Sequence, residues 1–144
     1  MVTGNPLQNP KSTPTKKDLE DFLGFGRYRR FDAIYRELVA MGLAGKFVWN
    51  DIDKNWSLHF YRGKTHIFSI RWGIDYFYSR LVLDSEVYKK VFGHKDLTDE
   101  ACELLQRNPH NPTKRSMPVE ANLEKIRDQD GFFELLPVLI KVLA

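Results

Sequence analysis

Residues 44–84 restrict the fold more than any other part of the chain. They read AGKFVWN, DIDK, NWSLHFYR, GKT, HIFSIRW, GI and DYFYSRLVLD, short apolar–polar alternations broken by turn residues. Alternation with period two is the pattern of strands that bury one face, and such short connections require antiparallel neighbours. A one-residue slip would exchange inside for outside, so the register must set apolar residues against apolar residues. The loop 51–54 then puts Trp49 opposite Trp56 and Phe47 opposite Leu58. Phe60 meets Phe68 only across a three-residue connection, Gly63, Lys64 and Thr65, or a longer odd-numbered one. Gly73 and Ile74 suit a two-residue turn with glycine first, which pairs Ile70 with Phe77.

This register divides the stretch into two surfaces. The inner face is Phe47, Trp49, Trp56, Leu58, Phe60, Phe68, Ile70, Trp72, Phe77, Leu81 and Leu83, a hydrophobic core. The outer face consists of the rows Val48–Ser57–Arg71–Tyr76, Lys46–His59–Ser69–Tyr78 and Ala44–Tyr61–Ile67–Arg80. Its His59, Tyr61, Arg71, Tyr76, Tyr78 and Arg80 form the candidate ligand-binding set. Such side chains grip anionic or aromatic groups through charge-assisted hydrogen bonds and stacking. The plainer reading is that they pair across strands and stabilise a solvent-facing sheet.

The flanks read as helices. Residues 1–14 are rich in Asn, Pro, Ser and Thr and read as a flexible tail, leaving 15–144 as a single domain. Thr15 with Asp18 is the start signal of a short helix carrying Leu19, Phe22 and Leu23, ended by Gly24 and Gly26. A second helix is predicted from about Tyr28 to Met41, with Phe31, Ile34, Tyr35 and Leu38 inward and Gly42 as the stop. Beyond the strands, Ser85 caps a short helix with Val87, Tyr88 and Val91, and Thr98 starts another with Ala101, Cys102, Leu104 and Leu105. The loop RNPHNPTKR follows, then an edge strand from Met117 to Ala121 and a terminal apolar helix whose Pro137 must kink it or mark a late start. The predicted class is α+β, an antiparallel meander of four to five strands with helices packed on one face.

Composition excludes several functions. No apolar run reaches the length of a membrane span, and the N-terminal sequence has no hydrophobic signal core, so neither membrane insertion nor export is expected. One cysteine, Cys102, forms no internal disulfide, as expected of a cytoplasmic protein. The net charge of +3 is uneven: residues 1–72 hold 12 Lys and Arg against 7 Asp and Glu, residues 73–144 hold 10 against 12. That excess is small beside dedicated nucleic-acid binders. His59, His66, His94 and His110 show no metal-ligand spacing, no glycine-rich phosphate loop is present, and no cofactor or metal is implied.

The opening Pro14-Thr15 and Leu19-Glu20-Asp21-Phe22-Leu23-Gly24, with Trp56-Ser57-Leu58, Tyr61-Arg62-Gly63-Lys64, Tyr76-Phe77 and the closing Leu139-Ile140-Lys141, resembles a bacterial family. It is the one catalogued as domain of unknown function 3788. The long RNPHNPTKR segment and Pro137 depart from its pattern. The resemblance implies the fold and carries no activity or catalytic residues.

Other local patterns carry less. His59 beside Ser69 lacks the acid and the strained turn that a serine nucleophile needs. Asp51, Asp53 and Asn55 imitate the start of a calcium loop, but Trp56 stands where glycine belongs and Arg62 where glutamate belongs. The GFG of Gly24, Phe25 and Gly26 runs into a helix rather than a central strand. The leading expectation is a non-enzymatic module that binds a small ligand or protein partner on the outer sheet face. The alternative is nucleic-acid binding by that face with Arg27, Arg29 and Arg30, and a third is an enzyme of unrecognised type. Neither a ligand nor an oligomeric state follows from the sequence.

Overall fold

The computed structural model describes residues 5–73, 76–107 and 115–143. The chain is α+β. Its described residues form helices Lys16–Leu23 (α1), Phe25–Ala40 (α2), Ser85–Phe92 (α3), Asp99–Gln106 (α4) and Ile126–Leu143 (α5). The strands are Ala44–Asn50 (β1), Asn55–Arg62 (β2), Thr65–Trp72 (β3), Phe77–Asp84 (β4) and Ser116–Asn122 (β5). They join one antiparallel sheet in the order β1-β2-β3-β4-β5. The chain falls into two compact units, residues 1–69 and 70–144.

In the first unit, α1 begins with a reciprocal cap: Thr15 Oγ1 accepts from the Asp18 backbone N–H, and Asp18 Oδ2 accepts from the Thr15 N–H. Gly24, at φ 81°, ends α1 and lets the chain turn directly into α2. Gly26, expected to lie in the break, instead falls in the first turn of α2, which starts at Phe25. Strands β1 and β2 pair as the apolar pattern requires, with Trp49 opposite Trp56, Phe47 opposite Leu58 and Lys46 opposite His59. Tyr35 of α2 reaches this sheet at Gly45, where a Cβ would lie 3.1 Å from the Tyr35 ring. The segment 5–14, read from the sequence as part of a tail, carries a 3-10 turn, Pro6–Gln8. Leu7 and Pro14 are buried, and the Trp56 indole N–H donates to the Asn9 carbonyl at 2.7 Å.

The β2–β3 connection differs from expectation in an instructive way. Strand β2 ends at Arg62 and β3 begins at Thr65, leaving two residues, with Gly63 at φ 61° in the first position. Regular pairing from that turn would put Phe68 on the face of His59. Yet the Phe68 ring stacks on Phe60 at 4.9 Å, while the His66 ring lies 4.7 Å from His59 and 5.3 Å from Tyr61. His66 and Phe68 therefore point to opposite faces although two residues apart, so alternation breaks once between them, as at a β-bulge. The odd residue required for Phe60 to meet Phe68 sits inside the strand rather than in the turn. Burial of four consecutive residues, Ile67 to Ile70, fits the same break.

In the second unit, the Gly73 N–H donates to the Tyr76 carbonyl at 2.7 Å, so the strands close on Gly73 and Tyr76. That moves the partner of Phe77 two positions from Ile70 to Trp72; a shift of two leaves every side chain on its expected face. Ile74, the second residue of the expected turn, lies outside the described residues. Strand β5 pairs with β4, setting Arg80 opposite Glu120 and Leu81 opposite Val119. Phe77, Leu81, Leu83, Met117 and Val119 are buried together with Tyr88 and Val91 of α3 and Phe132, Leu135 and Leu136 of α5. The cap of α3 is Asp84, whose carboxylate accepts from the Val87 N–H, rather than Ser85. Cys102, expected to face inward, is half-buried. Helix α5 starts at Ile126 and continues through Pro137. The sequence loop RNPHNPTKR lies mostly outside the described residues.

A half-buried ion pair ties this unit together. Asp128, in the first turn of α5, takes two guanidinium bonds from Arg107 at 2.9 and 2.6 Å and a third from the Asn122 N–H at 2.9 Å. Three donors satisfy the carboxylate, and the Arg107 hydrogen bonds hold its pKa below the ordinary range against the effect of burial.

Candidate functional site

The helical cover of the first unit leaves a cleft. It has a volume of about 210 Å³ and is walled by Tyr28, Phe31, Tyr35 and Phe47, with Gly45 and Leu58 behind and Lys16 and Asp32 among its polar groups. Helix periodicity explains the wall: Tyr28, Asp32 and Tyr35 stand four and three residues apart and share a face of α2. Their rings form a ladder, Tyr28 to Phe31 at 6.3 Å, Phe31 to Tyr35 at 6.1 Å, and Tyr35 to Phe60 at 5.9 Å. The absence of a Cβ at Gly45 lets Tyr35 come against the sheet, because an added methyl would also lie 3.2 Å from Phe60 and 3.3 Å from Leu58.

The charges of the cleft are both engaged. The Lys16 ammonium stands 6.0 Å from the centroid of the Tyr35 ring, at the outer limit of a cation–π contact. The Asp32 carboxylate pairs with Arg36 one turn on, at 2.9 Å. Desolvation, followed by the carboxylates of Asp32 and Glu20, pushes the Tyr28 phenol above its ordinary pKa, so it remains a protonated donor at neutral pH.

The six outer-face residues divide between the units. In the first, His59 and Tyr61 are half-buried and share their surface with His66, the residue redirected by the break in β3. The expected row partners Ser69 and Ile67 are buried, at 3% and 6% exposure, and offer no grip to a ligand. Desolvation holds His66 below the ordinary imidazole pKa, opposed by a backbone hydrogen bond to Phe68. In the second unit, Tyr76 and Tyr78 meet at 5.5 Å between ring centroids, and Arg80 is held by Glu120 at 2.8 Å. Burial and the nearby Glu120 carboxylate raise the Tyr78 pKa, opposed by Arg71 and Arg80. Glu120 went unassigned in the sequence because the partner of β4 arrives only after two intervening helices.

No group of three or more His, Cys, Asp or Glu among the described residues is placed to hold a metal ion, and no described helix is long and apolar enough to cross a membrane. Comparison with known protein families, curated proteins and solved structures finds no match, and the resemblance to domain of unknown function 3788 gains no support from it.

Proposed function

We propose that this chain is a binding module whose ligand is a small molecule with one aromatic or apolar ring, taken up in the cleft between α1, α2 and the β1–β2 hairpin. The observation that carries the reading is the cleft itself: concave, ring-walled, and bearing one charge of each sign. Its volume of about 210 Å³ is below that of drug-sized sites, while about 150 Å³ suffices for benzene in an engineered cavity. A single ring with a polar substituent is therefore the matching size. The ring would stack among Tyr28, Phe31, Tyr35 and Phe47, and the substituent would meet Lys16, since Asp32 is already paired with Arg36.

The outer sheet face is the less favoured seat, because its deeper positions are filled by Ser69 and Ile67 and its Arg80 is engaged by Glu120. That ion pair also weakens the nucleic-acid reading, since a guanidinium held by a carboxylate offers less charge to phosphate. A cytoplasmic setting fits the lone Cys102. The test is a ligand-observed NMR screen of single-ring acids, amines and phenols against the wild type and Tyr35→Ala. Binding that Tyr35→Ala abolishes supports the cleft; hits that bind both proteins equally refute it.

A further inference from the structure

Along the chain His59 and His66 show no metal-ligand spacing, because seven residues apart they match neither the i+3 nor the i+4 pair of a helical metal site. The hairpin supplies one. A two-residue turn sets His66 opposite Tyr61 and diagonal to His59, and the break in alternation lies beyond it, so both imidazoles stay on one face. We propose that this face of the hairpin is a transition-metal site in which His59 and His66 chelate one Cu(II) ion, with Zn(II) and Ni(II) as weaker occupants.

The separation of the rings carries the argument. Imidazole nitrogens bind such ions at about 2.0–2.1 Å, which puts each ring centroid ~3.2 Å from the metal. Two rings with centroids 4.7 Å apart and planes tilted by 36°, each turned to present a nitrogen to one ion, would subtend about 95° there. That is near the right angle of tetragonal Cu(II), whereas a tetrahedral Zn(II) angle would need centroids ~5.2 Å apart. Copper also leads the affinity order for nitrogen ligands. Two imidazole arms leave further coordination positions for water or an incoming ligand.

The surroundings are compatible. His66 is exposed and His59 half-buried, so an ion can enter from solvent. Tyr61 walls the site at 5.3 Å from the His66 ring. Lys46, opposite His59 in the register, is the facing cation; it is exposed and long enough to turn its ammonium toward solvent.

The test is titration of the full chain with Cu(II) at neutral pH, followed by calorimetry and electron paramagnetic resonance. The expected result is one tightly bound ion per chain whose spectrum carries two imidazole nitrogen couplings. His59→Gln and His66→Gln should each weaken binding at least ~10-fold, the lower end of what losing even an outer-shell partner costs, and each should remove one coupling. His94→Gln should change neither. The wild-type coupling count needs no variant, so it decides the matter even if a substitution disturbs the hairpin. Wild-type protein without a bound ion, a spectrum without two imidazoles, or a His59→Gln/His66→Gln double variant that binds copper like the wild type would overturn the proposal.

Discussion

Gly45→Ala probes how tightly the inner wall of the cleft is built, because two opposed effects meet there. Replacing a strand glycine by alanine removes freedom from the unfolded chain and is worth about 0.5–1 kcal/mol in favour of folding. Against it, the new methyl lies 3.1 Å from the Tyr35 ring, 3.2 Å from Phe60 and 3.3 Å from Leu58. Tyr35 is half-buried and can yield, but Phe60 and Leu58 are 0% and 3% exposed and have nowhere to go. Overpacking of that kind costs about 1–3 kcal/mol, so the net expectation is destabilisation by about 1 kcal/mol. For a chain of 144 residues this lowers Tm by about 3–4 °C. Urea denaturation followed by tryptophan fluorescence measures it, since Trp49 and Trp56 report from the same hairpin. A variant as stable as the wild type, or more stable, would refute the reasoning and mean that the wall is loosely packed.

Four further outcomes follow from contacts elsewhere in the structure. Arg107→Ala leaves the buried Asp128 carboxylate short of two donors and should cost about 2–3 kcal/mol, below the range for fully buried pairs because Arg107 is 45% exposed. Since folding lowers the Asp128 pKa, its contribution is complete above the unfolded value of about 3.9 and is lost as pH falls through the folded value. The stability gap between wild type and Asp128→Asn, measured by urea titration, should therefore shrink on acidification below about pH 4; a gap constant with pH contradicts this. The Ser79 hydroxyl is buried with no hydrogen-bond partner among the described residues, so Ser79→Ala should leave calorimetric stability unchanged or raise it by up to about 1 kcal/mol. Thr15→Ala removes one half of a reciprocal cap and should cost about 1 kcal/mol.

Much of the fold was legible because its cause is local. The β1–β2 register follows from matching Trp49 with Trp56 and Phe47 with Leu58, and the α1 cap follows from Thr15 and Asp18. The β2–β3 register was half legible: apolar matching demanded an extra residue between Phe60 and Phe68, but not where it would go. A bulge inside β3 and a longer turn satisfy that demand equally, and only the bulge brings His66 to His59. Glu120 beside Arg80 depends on a strand that returns after two helices, a contact no local pattern encodes. The cleft was hidden for another reason. Tyr28, Asp32 and Tyr35 show their shared face by spacing, but the gap beside them depends on how closely α2 approaches β1, which Gly45 sets.

The most direct test of the ligand-binding account is an amide chemical-shift map of the full chain with the strongest single-ring ligand from the screen. The account predicts saturable shifts concentrated on Lys16, Leu19, Tyr28, Phe31, Asp32 and Phe47, the residues around the cleft. Saturable shifts centred on Tyr76, Tyr78 and Arg80, with the cleft amides unmoved, would contradict it.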